Sequence, residues 1–245
     1  MQFNRRSGRL PLMQNPEFVH ATFSAIAPRY VTANHILSMG IDIAWRQRVV
    51  QLVAEWKPAR LLDIATGTGD LALALTRALP EIDILGTDFC QPMLDVAAAR
   101  GLCNLLQADA MNLPLPDASF DVATVAFGLR NMADYAAAIR EFRRILKPGG
   151  HLLILDFSLP EGILSSPYRY YLHHILPRIA GWITRRPDAY TYLGDSIEQF
   201  PRGKAMCSLI ETNGFIEART EQLSGGIAAI YTATCADEPE PVFTA

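Results

Sequence analysis

The sequence predicts an α/β domain built on a mostly parallel, doubly wound sheet of seven strands that ends in an antiparallel hairpin. Three observations lead there. Short apolar runs alternate with helical stretches of about 10–15 residues between Arg60 and Phe157. The first run ends in a glycine turn that opens a helix. The last two strand-like runs are separated only by Ser224-Gly225-Gly226. Alternation of this kind implies right-handed parallel crossovers, and a short turn containing glycine implies a hairpin.

The elements follow in order. Pro16–Trp56 reads as helices, with Phe18, Phe23 and Ile26 on one stripe and Trp45, Val49, Leu52 and Val53 on another. Lys57-Pro58 closes this region, because the residue before a proline is pushed out of the helical basin. Leu61, Leu62 and Ile64 form the first strand, and Leu71–Leu79 the helix after it. Ile82–Gly86 and Leu102–Gln107 are the second and third strands, with a helix over Pro92–Arg100 between them. Phe120–Phe127 is the fourth strand, and Tyr135–Leu146 a helix halted by Lys147-Pro148-Gly149-Gly150. His151–Phe157 is apolar almost throughout, as a strand covered on both faces should be. An aromatic helical insertion, about residues 160–200, then interrupts the rhythm as a lid. The helix Arg202–Thr212 and the strands Phe215–Leu223 and Ile227–Cys235 complete the domain.

One domain over residues 16–235 accounts for the chain, with residues 1–15 expected as a flexible leader and 236–245 as a flexible tail. Half of the 245 residues are hydrophobic, enough for a sizeable core, and the formal charge of −3 argues against a nucleic-acid partner. No run is long and apolar enough to span a bilayer. The four cysteines, Cys90, Cys103, Cys207 and Cys235, form no C-x-x-C pair. With His173 and His174 standing apart from any Cys/His cluster, no metal site is expected. Scattered thiols fit a reducing cytoplasm. The oligomeric state is not legible.

In open α/β sheets, ligands bind beyond the carboxyl ends of the strands. The turn Thr66-Gly67-Thr68-Gly69 lies there, where glycine permits close approach and the helix N-terminus offers N–H donors. Gly67, Thr68 and Gly69 are therefore candidate cofactor contacts. Alone the turn is ambiguous: Gly67-x-Gly69-x-x-Ala72 also satisfies a dinucleotide fingerprint, and Asp88 stands roughly 20 residues on, where it could hold ribose hydroxyls in either case. Asp63 discriminates. A carboxylate inside the first strand would repel a pyrophosphate but attract a sulfonium and an α-amino group. Asp109 and Ala110 follow the third strand, where Asp109 could reach an adenine amine. Three acids at successive strand ends suit S-adenosylmethionine (SAM) better than a nicotinamide.

The chain also resembles a known family, the C-methyltransferases of menaquinone and ubiquinone biosynthesis, from about Phe18 to Ile230. The motifs in order are Phe23-Ser24-Ala25-Ile26-Ala27-Pro28-Arg29-Tyr30; Trp45-Arg46; Leu62-Asp63-Ile64-Ala65-Thr66-Gly67-Thr68-Gly69-Asp70; Phe127-Gly128-Leu129-Arg130-Asn131; and Ala189-Tyr190-x-Tyr192-Leu193 with Ser196-Ile197. The glycine loop says only SAM. The Phe-Gly-Leu-Arg-Asn and Ala-Tyr-x-Tyr-Leu segments are far more specific. The chain departs from the pattern at Val31, Ala126, Arg185-Arg186 and Asp156.

The resemblance implies a class I SAM-methyltransferase fold and methylation of a ring carbon on a polyprenylated quinol, with demethylmenaquinol and the matching benzoquinol of ubiquinone biosynthesis as alternatives. It implies catalytic roles for Arg130, Asn131 and Tyr30, with Arg130 either stabilising a developing phenolate, directly or through a water, or forming a salt bridge that shapes the loop. It implies a substrate side lined by Tyr190, Tyr192 and Ser196. The aromatic stretch Tyr168–Trp182 reads either as lid packing or as a greasy entrance docked on the inner face of a membrane. Three rivals remain at this point: another small-molecule methyltransferase, a nicotinamide oxidoreductase and a SAM-binding protein without catalysis.

Overall fold

In a computed structural model, residues 40–176, 178 and 187–236 are described, apart from the side chains of residue 164 and residues 187–192. Seven strands form one sheet in the order β3-β2-β1-β4-β5-β7-β6. β1 (Arg60–Ile64), β2 (Asp83–Asp88), β3 (Leu105–Gln107), β4 (Phe120–Ala126) and β5 (Leu146–Phe157) are parallel. β7 (Ala228–Cys235) runs antiparallel between β5 and β6 (Phe215–Leu223). The order reverses between β1 and β4, and such a switch point leaves a crevice at the carboxyl ends of the strands.

Burial explains why these segments pair. β1 is buried from Leu61 to Ile64, as a central strand covered on both faces must be. On one face α1 (Ile41–Trp56), α2 (Asp70–Ala78) and α3 (Gln91–Ala99) bury Trp45, Val49, Leu75 and Ala97 against Leu61 and Ile230. On the other, α4 (Tyr135–Ile145) and α7 (Lys204–Thr212) bury Ile139, Phe142 and Ile210 against Leu62, Ile64 and Tyr231. α4 starts where Asp134 accepts a hydrogen bond from the Ala137 N–H and ends on Arg143 and Arg144, both favourable to the helix dipole. α5 (Ser165–Tyr170), a π-helical turn (Tyr171–Ile175) and α6 (Pro187–Gln199) form the lid, whose small core is Leu159, Leu172, Leu176 and Ile197.

Two expected boundaries move by three residues or more. β3 begins at Leu105 rather than Leu102, because Leu102 turns inward and fills the space facing Gly69 and Gly86. β5 begins at Leu146 rather than His151. Leu146 pairs with Phe120, the register shifts through the proline and glycines, and pairing resumes with His151 opposite Val122. The expected helices over residues 16–39 lie outside the described residues.

Candidate active site

The carboxyl ends of β1 and β4 are strained towards one point. Ala65 and Phe127, the residues that follow or close these strands, have φ of 52° and 60°, a left-handed conformation that side chains rarely adopt and that clusters at functional sites. Gly128 sits between them: a Cβ there would lie 2.6 Å from the Ala65 Cβ, so only glycine lets the two strand ends approach. The crevice beside them is a cavity of about 250 Å³, near the lower end for small-molecule sites.

Asp63 is the buried acid of this cavity, 1% exposed. Its two oxygens accept hydrogen bonds from Thr66 Oγ1 (2.6 Å) and Thr124 Oγ1 (2.7 Å). Thr124 reaches it because β4 pairs with β1 in the register Asp63 to Thr124. Burial pushes the Asp63 carboxyl up to about 6, against the pull of the two hydroxyls and of Arg46. Asp88 ends β2 and accepts from the backbone N–H groups of Gly67 (2.9 Å) and Cys90 (2.9 Å), which ties the glycine turn to β2. Asp109 accepts from the Met111 N–H (2.9 Å), shaping the turn after β3.

The structure brings Asp63, Gly67, Thr68, Asp88, Asp109, Ala110 and Asn131 to this one cavity. Gly69 does not line it. Its φ of 80° and the Ala97 and Leu102 side chains, each 3.3 Å from where a Cβ would stand, make it the packing hinge between α2 and α3. Arg130 does not line the cavity either, and of its two readings the structure shows the salt bridge that shapes the loop. It is 5% exposed, and its guanidinium donates to Asp156 Oδ1 (2.6 Å) and to the Phe127 carbonyl (2.5 Å). It also lies 5.1 Å from the Phe157 ring centroid. Burial pushes the Asp156 carboxyl upward and the guanidinium opposes that. Ser196, likewise off the cavity, is buried and donates to the Leu193 carbonyl (2.9 Å). Tyr30 lies outside the described residues, as do the side chains of Tyr190 and Tyr192.

Among the lining residues that sequence reasoning did not name as site residues are Arg46, Asp70, Thr87 and Phe127. Arg46 carried two signals, its place in the Trp45-Arg46 motif and its i, i+4 spacing from Asp42, with which it pairs. Thr124, behind Asp63, needed the strand register.

The residues present fit an adenosyl sulfonium. Four acids, Asp63, Asp70, Asp88 and Asp109, line the cavity, along with the buried Thr87 hydroxyl, which has no hydrogen-bond partner. A nicotinamide pyrophosphate fits poorly: it would meet Asp63, and the Gly67 N–H it needs is bonded to Asp88.

Comparison with known proteins agrees. The ubiE/COQ5 methyltransferase family matches residues 12–235. A demethylmenaquinone methyltransferase of Thermus thermophilus is 46% identical over 215 residues, 85% of this chain and 97% of that protein. A ubiquinone/menaquinone biosynthesis C-methyltransferase of Syntrophotalea carbinolica is 44% identical over 216 residues, 86% of this chain and 91% of that one. Among solved structures, a SAM-dependent methyltransferase of Thermotoga maritima superposes with a TM-score of 0.54 at 23% identity, covering 82% of this chain and 98% of that one, which places the fold.

Proposed function

The chain belongs to the ubiE/COQ5 methyltransferase family, and from that premise we propose that it methylates a ring carbon of a polyprenylated quinol, turning demethylmenaquinol into menaquinol. The observation that carries the cofactor half is the buried, hydroxyl-bonded Asp63 facing a cavity lined by three further acids. The acceptor half rests on the relatives named above. The benzoquinol of ubiquinone biosynthesis is the second acceptor, favoured by the double name of the Syntrophotalea relative.

When bound, SAM supplies a methyl group already activated on a sulfonium. The protein must position the acceptor and make its carbon electron-rich. A phenol ionises at about 10, so forming the phenolate at pH 7 costs about 4 kcal/mol. Hydrogen-bond donors placed where the negative charge develops offset part of that cost. Asn131, on the 3₁₀ turn Leu129–Asn131, is the polar side chain of the Phe-Gly-Leu-Arg-Asn segment that lines the cavity. Its amide donates to the Phe127 carbonyl (3.3 Å), which fixes its orientation for a ring oxygen. Arg130 grips the same carbonyl from behind and so acts as a positioning residue, its charge close to the site but held by Asp156. Tyr30, Tyr190, Tyr192 and Ser196 complete the proposed acceptor side.

No described helix is long and apolar enough to cross a membrane. The lid nevertheless exposes Ile163, Tyr170 and Ile175 beside the exposed His174 and Arg178. This supports a peripheral station on the inner face of the membrane, where a prenyl tail enters under the lid. Steady-state kinetics with short-chain demethylmenaquinol and short-chain 2-prenyl-6-methoxy-benzoquinol acceptors test the reading. A higher kcat/KM for the naphthoquinol is expected. Turnover of neither quinol sinks it.

A further inference from the structure

We propose that Arg46 is the receptor for the α-carboxylate of the cofactor's amino-acid end, an inference that rests on the SAM reading above. Arg46 projects from α1 and is the only Lys, Arg or His among the described residues lining the cavity, whereas four acids line it. The amino-acid end of SAM carries a sulfonium, an ammonium and one carboxylate. The two cations have Asp63 and its neighbours. The carboxylate needs a donor, and the glycine turn is a poor one. The Gly67 N–H already donates to Asp88 (2.9 Å), and the Gly69 N–H to the Thr66 carbonyl (2.9 Å).

Arg46 is incompletely used. Its Nη1 pairs with Asp42, and its Nη2 stands a long 3.8 Å from Asp70 Oδ2. Its Nε is buried with no hydrogen-bond partner, although the side chain is only 9% exposed. A guanidinium presents Nε and Nη2 as a fork that matches the two oxygens of a carboxylate. Asp70 does not depend on Arg46, because Arg100 holds its other oxygen at 2.7 Å. Binding therefore exchanges the long Arg46–Asp70 contact for a bidentate one and leaves Asp70 with Arg100.

Charge bookkeeping agrees. Four acids line the cavity against the one cation, Arg46, among the described residues, so its wall is net negative. The amino-acid end of the cofactor, with two positive groups and one negative, carries +1. Without Arg46 the carboxylate would enter a site of like charge.

The test compares two ligands by calorimetry: S-adenosylhomocysteine, and the 3-aminopropyl thioether of adenosine, which differs only in lacking the carboxylate. The wild type is expected to bind the first roughly 100-fold more tightly, the yield of a charge-assisted hydrogen-bond pair. In Arg46→Met the gap closes to within about threefold through loss of affinity for S-adenosylhomocysteine alone, as a ligand–mutant cycle requires. Equal weakening of both ligands, or a gap that persists, overturns the proposal and leaves Arg46 a purely structural residue. If the wild type binds neither ligand, the SAM reading itself fails. Should Arg46→Met not fold, Arg46→Lys reads the same quantity: a point charge reaching one oxygen leaves a gap of roughly tenfold, and an unchanged wild-type gap again overturns the proposal.

Discussion

Replacing Asp63 by Asn should stabilise the empty protein and cripple cofactor binding at once. The carboxyl is buried and stands at about 6 rather than the ordinary 3.8. A raised pKa means that the folded state prefers the protonated acid. The stability this group contributes is full below pH 3.8 and lost as pH climbs through 6. At about 1.4 kcal/mol per pKa unit, keeping it ionised at pH 8 costs the folded protein ~3 kcal/mol. Asn is neutral at every pH and removes that cost. One of the two threonine hydroxyls must then turn to accept from the amide, which takes back ~1 kcal/mol. A net gain of ~2 kcal/mol raises the melting temperature by about 4–8 °C in a chain of this size. The same change deletes a carboxylate beside a cation. At about 4 Å and an effective dielectric constant of 20 that attraction is worth ~4 kcal/mol, or a Kd roughly 1000-fold weaker. Scanning calorimetry of the empty proteins and titration with SAM, both at pH 8, measure the two effects. A variant that binds SAM within threefold of the wild type, or that melts lower than it, refutes the reasoning.

Other consequences follow from the same geometry. SAM affinity of the wild type should level off near pH 7 and weaken about tenfold per pH unit below 6, since the cation binds the ionised Asp63 and protons compete; Asp63→Asn should abolish that slope, and a flat wild-type curve from pH 5 to 7 contradicts the role. Gly128→Ala forces a Cβ to within 2.6 Å of the Ala65 Cβ, an overpacking that should cost about 1–3 kcal/mol in urea denaturation and loosen the cavity, so unchanged stability would show that the strand ends yield freely. Arg130→Ala strands the Asp156 carboxylate and should cost roughly 3–5 kcal/mol, whereas Arg130→Met with Asp156→Val should recover most of it. In that double variant kcat should still fall about 100-fold while SAM affinity stays within about threefold, the mark of a misplaced acceptor side; equal losses of both would count against a positioning role.

Much of the fold could be read from the chain because its central strands are doubly buried and therefore almost uninterruptedly apolar. Leu61 to Ile64 and His151 to Phe157 announce themselves for that reason. Asp63 announced the site for the converse reason: a charge amid buried neighbours has a function or a partner. What stayed hidden depends on register and tertiary packing. Thr124 touches Asp63 only because β4 pairs with β1 in one particular alignment. Arg46 follows Trp45 on a helix that reads as core, and its descent into the cavity depends on where α1 lies. Arg130 was legible as a residue but not as a geometry, since nothing local foretells that Asp156, 26 residues on, would hold its guanidinium away from the cavity lining. The early start of β5 was hidden because Pro148-Gly149-Gly150 look like a break, whereas a register shift accommodates them within the pairing.

The central claim is transfer of a methyl group from SAM to a quinol carbon. It is tested most directly by incubating the full chain with SAM carrying a ¹³C-labelled methyl and a reduced short-chain demethylmenaquinone, and reading the product by carbon NMR. One labelled methyl in the aryl-methyl region, absent when Asp63 is Asn, is the expected result. A label in the methoxy region, or no labelled quinone at all with an enzyme that binds SAM, would contradict it.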